Sequence, residues 1–378
     1  MMDEIMNSFE NLKSWINQNG GYVNDKLSLV PTADNRLSIV CNTNLENEKL
    51  FLINKRLILN LENSDFKLEL GDMDFRNKLT LALLYEIKNP NTRFTNYFKL
   101  LPSLDRYREH PIFLFSENKF PRFSEKIYIR AQEIYQRFIN LLNFCKSSND
   151  DFLKNITQEE LFWSYLTVIT RYIDGVGLVP LFDNFQHSND SNTRFILEID
   201  NIQLSLDGVY SIGEIVYTNQ NYKDDIDFFL HRGALEKSEV CHLRAQFNFK
   251  DKPDVIKNII NSSKLNTDLH YSSLGLSNIL LYYLRANMLS ELDLILMSKN
   301  YNFYEQLITL ENERKCLQKI KVNLSMLNSK EELEYVKVNL STFERNSLEY
   351  NICQIIIKID RMSNTLNSFI DSYWISLL

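Results

Sequence analysis

At 378 residues the chain has room for two or three domains of roughly 150 residues each and for a sizeable buried core. Hydrophobic residues at 44% beside 24% charged ones exclude a disordered or fibrous chain. A formal charge of −7 disfavours a phosphate backbone as partner, and 9 glycines in all, against an average usage near ~7%, nearly exclude phosphate-cradling loops.

Residues 8 to 19 place Phe9, Leu12, Trp15 and Ile16 at helical spacing, and Gly20-Gly21 stops the pattern, as glycine does past a helix end. From Tyr22 to Leu61 the period changes. The runs LSLV, RLSIVC and LFLINKRLILNL, broken by Pro31, Asn35 and Asn47, predict a small β region. Helical stripes return between Arg76 and Phe144, with Leu79-Leu83-Leu84-Ile87 and Ile127-Ala131-Ile134-Tyr135-Phe138-Ile139-Leu142, and again over 161 to 174. RFILEI, IQLSL and GEIVYTN then predict three strands, parted by Asp200-Asn201 and by a stretch opening with Asp207-Gly208. From Pro253 to the end everything reads helical, with Leu348-Ile352-Ile355-Ile359-Met362-Leu366-Phe369 as the longest stripe. The predicted fold class is therefore α+β, a β module split by helices and followed by an all-helical tail.

Several chemistries find no footing. The five cysteines are widely spaced, with no CxxC and no histidine at metal-ligand spacing, so they read as buried free thiols and no metal is expected. Neither GxGxxG nor GxxxxGKS/T occurs, and there is no nucleophile elbow for Ser/His/Asp hydrolysis. Local basic runs such as Lys126-Arg130 and Arg314-Lys315-Lys319-Lys321 alternate with apolar residues at helical spacing. They read as solvated helix faces, and no nucleic-acid partner is expected. Met1 to Val30 carries Asp3, Glu4, Glu10, Lys13 and Lys26 without a continuous apolar core, unlike a signal or transit peptide. No stretch approaches the ~20 apolar residues of a membrane span. An intracellular, reducing setting, cytoplasmic or nuclear, is the expectation, and the Asn-x-Ser/Thr matches at Asn155, Asn189, Asn261, Asn323 and Asn339 read as chance.

Six segments, in order, resemble the SET-domain proteins of the Rubisco large-subunit lysine methyltransferase class, which also contains the actin-histidine methyltransferase. FENLKSWINQNGG resembles the family's opening helix, and LTLALLYEIKNPNTRFTNYFKLLPS its helical insertion with the Tyr-x-x-x-Leu-Pro segment. FWSYLTVITRYIDGVGLVPLFDNFQHS resembles the Ser/Thr-Arg helix leading to the Asp-x-x-Asn-His-Ser loop, and GEIVYTNQNYKDDIDFFLHRGA the terminal strand and knot. LLYYLRANMLSELDL and SLEYNICQIIIKIDRMSNTLNSFI resemble the two signatures of the C-terminal substrate-binding domain. The resemblance implies a split SET β fold over 1–75 and 161–245, a helical insertion over 76–160, and an all-α substrate-binding domain over 246–378.

It also implies methyl transfer from S-adenosylmethionine to a nitrogen of a protein or peptide, a reaction that rests on positioning and preset polar groups. The matching residues would be Arg36, Arg171, Asp183, Gln186 and His187 at the cofactor, and Ile173 in the substrate pocket, where an apolar wall suits lysine methylenes. The departures lie in the same places. Asn35 and Leu37 replace the family's two glycines around Arg36, Gln186 replaces an asparagine, and Ala234 replaces a phenylalanine over the adenine. Counting from Gly213-Glu214 and from Gly233 puts Gln220 at the position of the catalytic tyrosine; Tyr222, two residues on, is the substitute to consider. The expectation is a methyltransferase-like protein, catalytically impaired or inactive, that binds a protein partner. The alternative is an active protein-lysine methyltransferase with altered geometry.

Overall fold

The structure, a computed structural model, describes residues 2–32, 37–220, 222, 224–236, 238–247, 269–290, 293 and 308–377. The chain divides into two compact units, one made of Met1–Phe120, Lys126–Asn221 and Phe228–Lys237, the other of Pro121–Glu125, Tyr222–Asp227 and Ser238–Leu378.

In the first unit, helix α1 (Met2–Gln18) buries Phe9, Leu12 and Ile16, the face its spacing predicts. Gly20 ends it at φ +80. A Cβ on Gly21 would lie 2.6 Å from the Leu52 carbonyl, so the chain turns into β1 (Tyr22–Val23) only with glycine there. Strands β2 (Leu27–Pro31) and β3 (Leu37–Cys41) pair antiparallel, with Leu29 opposite Ile39. After β4 (Leu45–Glu46), β5 (Lys49–Asn54) ends where the Asn54 side chain accepts from the Arg56 N–H and caps a short turn. The run LFLINKRLILNL is therefore a strand and a turn, because local side-chain capping competes with the ladder.

Helices α2 (Phe75–Lys88), α3 (Thr95–Phe98), α4 (Pro111–Ser116), α5 (Glu125–Ser147), α6 (Asp151–Lys154) and α7 (Gln158–Arg171) form the insertion and its exit. α7 opens on a capping box between Thr157 and Glu160. Ser164 on it donates to the Thr80 carbonyl of α2 at 2.8 Å. Strands β6 (Gln186–His187), β7 (Thr193–Leu197), β8 (Asn201–Leu206), β9 (Val209–Tyr210) and β10 (Tyr217–Thr218) follow. The four-stranded sheet runs β1-β5-β8-β7, β4 pairs with β9, and β10 lies parallel to β6. The core gathers α1, these strands and the aromatic group Phe51, Phe182 and Phe185.

GEIVYTN thus yields two strand residues rather than a full strand. Gly213 turns at φ +83, the Val216 N–H goes to the Ile39 carbonyl, and only Tyr217 and Thr218 join a ladder. Helix α8 (Asp225–Arg232) follows.

In the second unit, β11 (His242–Arg244), β12 (His270–Ser272) and β13 (Gly275–Leu276) form an antiparallel sheet. β12 and β13 correct the all-helical reading after Pro253. Gly275 at φ +134 closes a hairpin within seven residues, too short to break a helical pattern visibly. Residues 253–268 of that reading, and parts of LLYYLRANMLSELDL, lie outside the described residues. Helices α9 (Asn278–Asn287), α10 (Leu310–Ser325), α11 (Lys330–Asn339) and α12 (Leu348–Leu377) complete the unit. The α12 stripe is buried from Ile352 to Leu366, as its spacing predicts. Arg285 donates to Glu313 through two bonds of 2.7 and 2.8 Å, and Tyr373 donates to Glu313 at 3.1 Å, so one buried ion pair joins α9, α10 and α12. All five cysteines are free and buried.

Candidate functional site

The C-terminal turn of α7 carries Thr170 and Arg171. The Arg171 guanidinium is paired with Asp183, Nη1 to Oδ2 at 2.7 Å, with side chains 15% and 1% exposed. Tyr97 donates its hydroxyl to the same Oδ2 at 2.8 Å. Burial and then the Asp183 carboxylate push the Tyr97 phenol well above its ordinary range. Burial alone would lower the Arg171 value, but Asp183 together with Tyr107 and Tyr97 outweighs it, and the guanidinium is held charged. Arg232 donates to the Thr170 carbonyl, supplying the cation that a helix C-terminus favours. Asp183 and Arg171 are thereby brought together.

The knot comes next. Parallel pairing sets Gln186 opposite Tyr217 and His187 opposite Thr218. The Gln186 side chain reaches across to β3 and donates to Ser38 Oγ at 2.6 Å. His187 is buried, with Nε2 2.8 Å from Glu236 Oε2, and the Gln220 backbone N–H donates to its Nδ1 at 3.0 Å. The Gln220 side chain turns back and donates from Nε2 to the Phe185 carbonyl at 3.2 Å. Its Oε1 is buried without a hydrogen-bond partner among the described residues, as are Asn184 Nδ2 and Thr218 Oγ1.

Ile173 lies just past α7, where its N–H donates to the Gly177 carbonyl at 3.0 Å. Its side chain is partly buried against the core. Gly177, at φ +127, has the Leu59 carbonyl 2.5 Å from where a Cβ would stand, so the turn beside Ile173 requires glycine. Leu37 also packs against the core, and Ala234 is buried. Arg36 lies outside the described residues, and Tyr222, half-buried, belongs to the second unit. Three participants escaped sequence reasoning: Tyr97 was seen only within the Tyr-x-x-x-Leu-Pro segment, while Ser38 and Glu236 carry no motif. Among the described residues no cluster of three or more His, Cys, Asp or Glu side chains could hold a metal, and no helix is long and apolar enough to cross a membrane.

A β fold split by a helical insertion, whose late strand returns to lie parallel beside the loop after α7, defines the SET architecture. Solved structures of that architecture match the chain almost end to end. The SET domain of LSMT bound to lysine and AdoHcy superposes with a TM-score of 0.61 at 15% identity, covering 98% of this chain and 92% of that one. Rubisco LSMT bound to sinefungin and monomethyllysine gives 0.62 at 16%, covering 98% and 93%. Rubisco LSMT bound to AdoMet gives 0.58 at 16%, with the same 98% and 93%. The chain has the fold of these SET-domain structures. No protein-family model and no curated protein matches the sequence.

Proposed function

We propose that the chain is a methyltransferase-like SET protein in which transfer chemistry is silent, and that it holds a protein or peptide partner through its SET cleft and its helical C-terminal unit. The observation that carries this reading is the Gln220 side chain. At the position the resemblance gives to a tyrosine hydroxyl stands an amide whose N–H is spent on the Phe185 carbonyl. A phenol there would orient the incoming amine, and losing one such preset group costs about 3–4 kcal/mol of barrier.

In this reading the described residues do not fit S-adenosylmethionine. Of the side chains that the resemblance assigns to the cofactor, Arg171 is paired with Asp183, Gln186 donates to Ser38 and His187 lies 2.8 Å from Glu236, while Arg36 lies outside the described residues. Ala234 offers little apolar cover where relatives lay a phenylalanine on adenine. A polypeptide partner is supported by the fold shared with structures holding lysine and monomethyllysine.

The test is transfer of a labelled methyl group from S-adenosylmethionine to protein and peptide acceptors, run for the natural chain and for Gln220→Tyr. No incorporation is expected from the natural chain. Because binding fails together with catalysis in this reading, the variant gains at most traces. Robust incorporation by the natural chain contradicts it and favours an active lysine methyltransferase.

A further inference from the structure

The His187 imidazole touches three separate stretches of the knot. Nε2 faces Glu236, both side chains being 1% exposed, and Glu236 also accepts the Asn189 N–H at 3.3 Å. Nδ1 lies 3.0 Å from the Gln220 backbone nitrogen and 3.2 Å from the Thr218 carbonyl oxygen. From α8 the Phe228 ring packs on the imidazole with centroids 4.8 Å apart.

One nitrogen therefore faces a donor and an acceptor together, and it serves only one of them in each protonation state. With its single proton on Nε2, 2.8 Å from Glu236 Oε2, the neutral ring accepts from the Gln220 N–H on Nδ1. The imidazolium carries a proton on both nitrogens. Nδ1 then confronts the Gln220 N–H as donor against donor, while the Thr218 carbonyl gains a bond. The proton comes from solvent and no other group changes its count.

We propose that His187 and Glu236 form a proton-operated latch that sets the position of Gln220: the neutral ring holds the Gln220 backbone, and protonation transfers the bond to Thr218 and releases it. Glu236 is the positioning partner, since its buried carboxylate stands 2.8 Å from Nε2, on the side of the ring away from Gln220. The latch acts on the backbone of the knot, and it stands whether or not a methyl group is transferred.

The test is a pH titration of the full chain by nitrogen-15 NMR, reading the His187 ring nitrogens together with hydrogen exchange of the Gln220 amide. At high pH the Nε2–H tautomer is expected. On acidification Nδ1 gains a proton, and with the same midpoint the Gln220 amide exchanges at least about tenfold faster than expected from pH alone, having lost its acceptor. Glu236→Gln moves that midpoint to lower pH and leaves amides of the β2–β3 ladder unchanged. The latch is refuted by an Nδ1–H tautomer at high pH, by a titrating His187 that leaves Gln220 unmoved, or by a Glu236→Gln midpoint equal to that of the natural chain. The titration of the natural chain decides on its own should the variant not fold.

Discussion

Asp183→Ala is expected to lower the unfolding free energy by about 3–5 kcal/mol, the cost of leaving one member of a buried ion pair without its partner. The guanidinium of Arg171 sits in the first unit with its carboxylate at 2.7 Å, and the Tyr97 hydroxyl completes the arrangement from α3. Removing the carboxylate strands a charge that burial already penalises. The pair is costly to break and cheap to replace. Arg171→Met with Asp183→Leu keeps the volume without the charges, and recovers most of the loss because two desolvation penalties vanish with the attraction. Urea unfolding of the two single variants and the double variant, combined as a cycle, checks this. Single variants that cost under about 1 kcal/mol would mean that the pair contributes little to the fold.

The second large effect is set by pH. His110, buried and placed at the N-terminus of α4, accepts the Ile112 N–H on Nδ1 at 3.2 Å and lies with Nε2 3.1 Å from the His231 carbonyl. The ring is therefore neutral with its proton on Nε2. Gly233, at φ +67, presses on it so closely that a Cβ there would lie 2.9 Å from the ring. Burial lowers the His110 pKa from 6.5 to about 4. Between these values the unfolded chain takes up a proton that the folded chain refuses. Stability therefore falls as pH drops from 6.5 toward 4, by about 3 kcal/mol in all, and this contribution is constant outside that window. His110→Gln abolishes the titration. The difference in unfolding free energy between pH 7 and pH 4.5 is expected to be smaller in the variant by about 2–3 kcal/mol, measured by urea unfolding at both pH values. Equal pH dependence in the two proteins would show that His110 does not carry the effect.

What could be read in the sequence follows from which forces act locally. α1, α7 and α12 declare themselves because each must bury one stripe, and Phe9-Leu12-Ile16 and Ile352-Ile355-Ile359 recur at helical spacing. The α+β class, with a β region before and after a helical stretch, was legible for the same reason. The pairing of β6 with β10 was not, because the two are two residues each and a parallel ladder between distant segments leaves no period. The hairpin at Tyr271 to Leu276 was hidden by its brevity. At the site, Arg171 ends α7, Asp183 follows in the next turn, Gln186 and His187 form β6, and Gln220 comes just after β10. The groups that meet Asp183, Gln186 and His187, namely Tyr97, Ser38 and Glu236, come from remote parts of the chain, and no spacing rule connects residues that only the fold brings together. A buried polar side chain announces that a partner must exist without saying where.

In the proposed reading S-adenosylmethionine finds no site beside the knot, because Arg171 is paired with Asp183 and Gln186 with Ser38. Isothermal calorimetry of the full chain with millimolar S-adenosylmethionine tests it most directly: no saturable heat is predicted, and saturable binding of one molecule per chain at submillimolar affinity would contradict it.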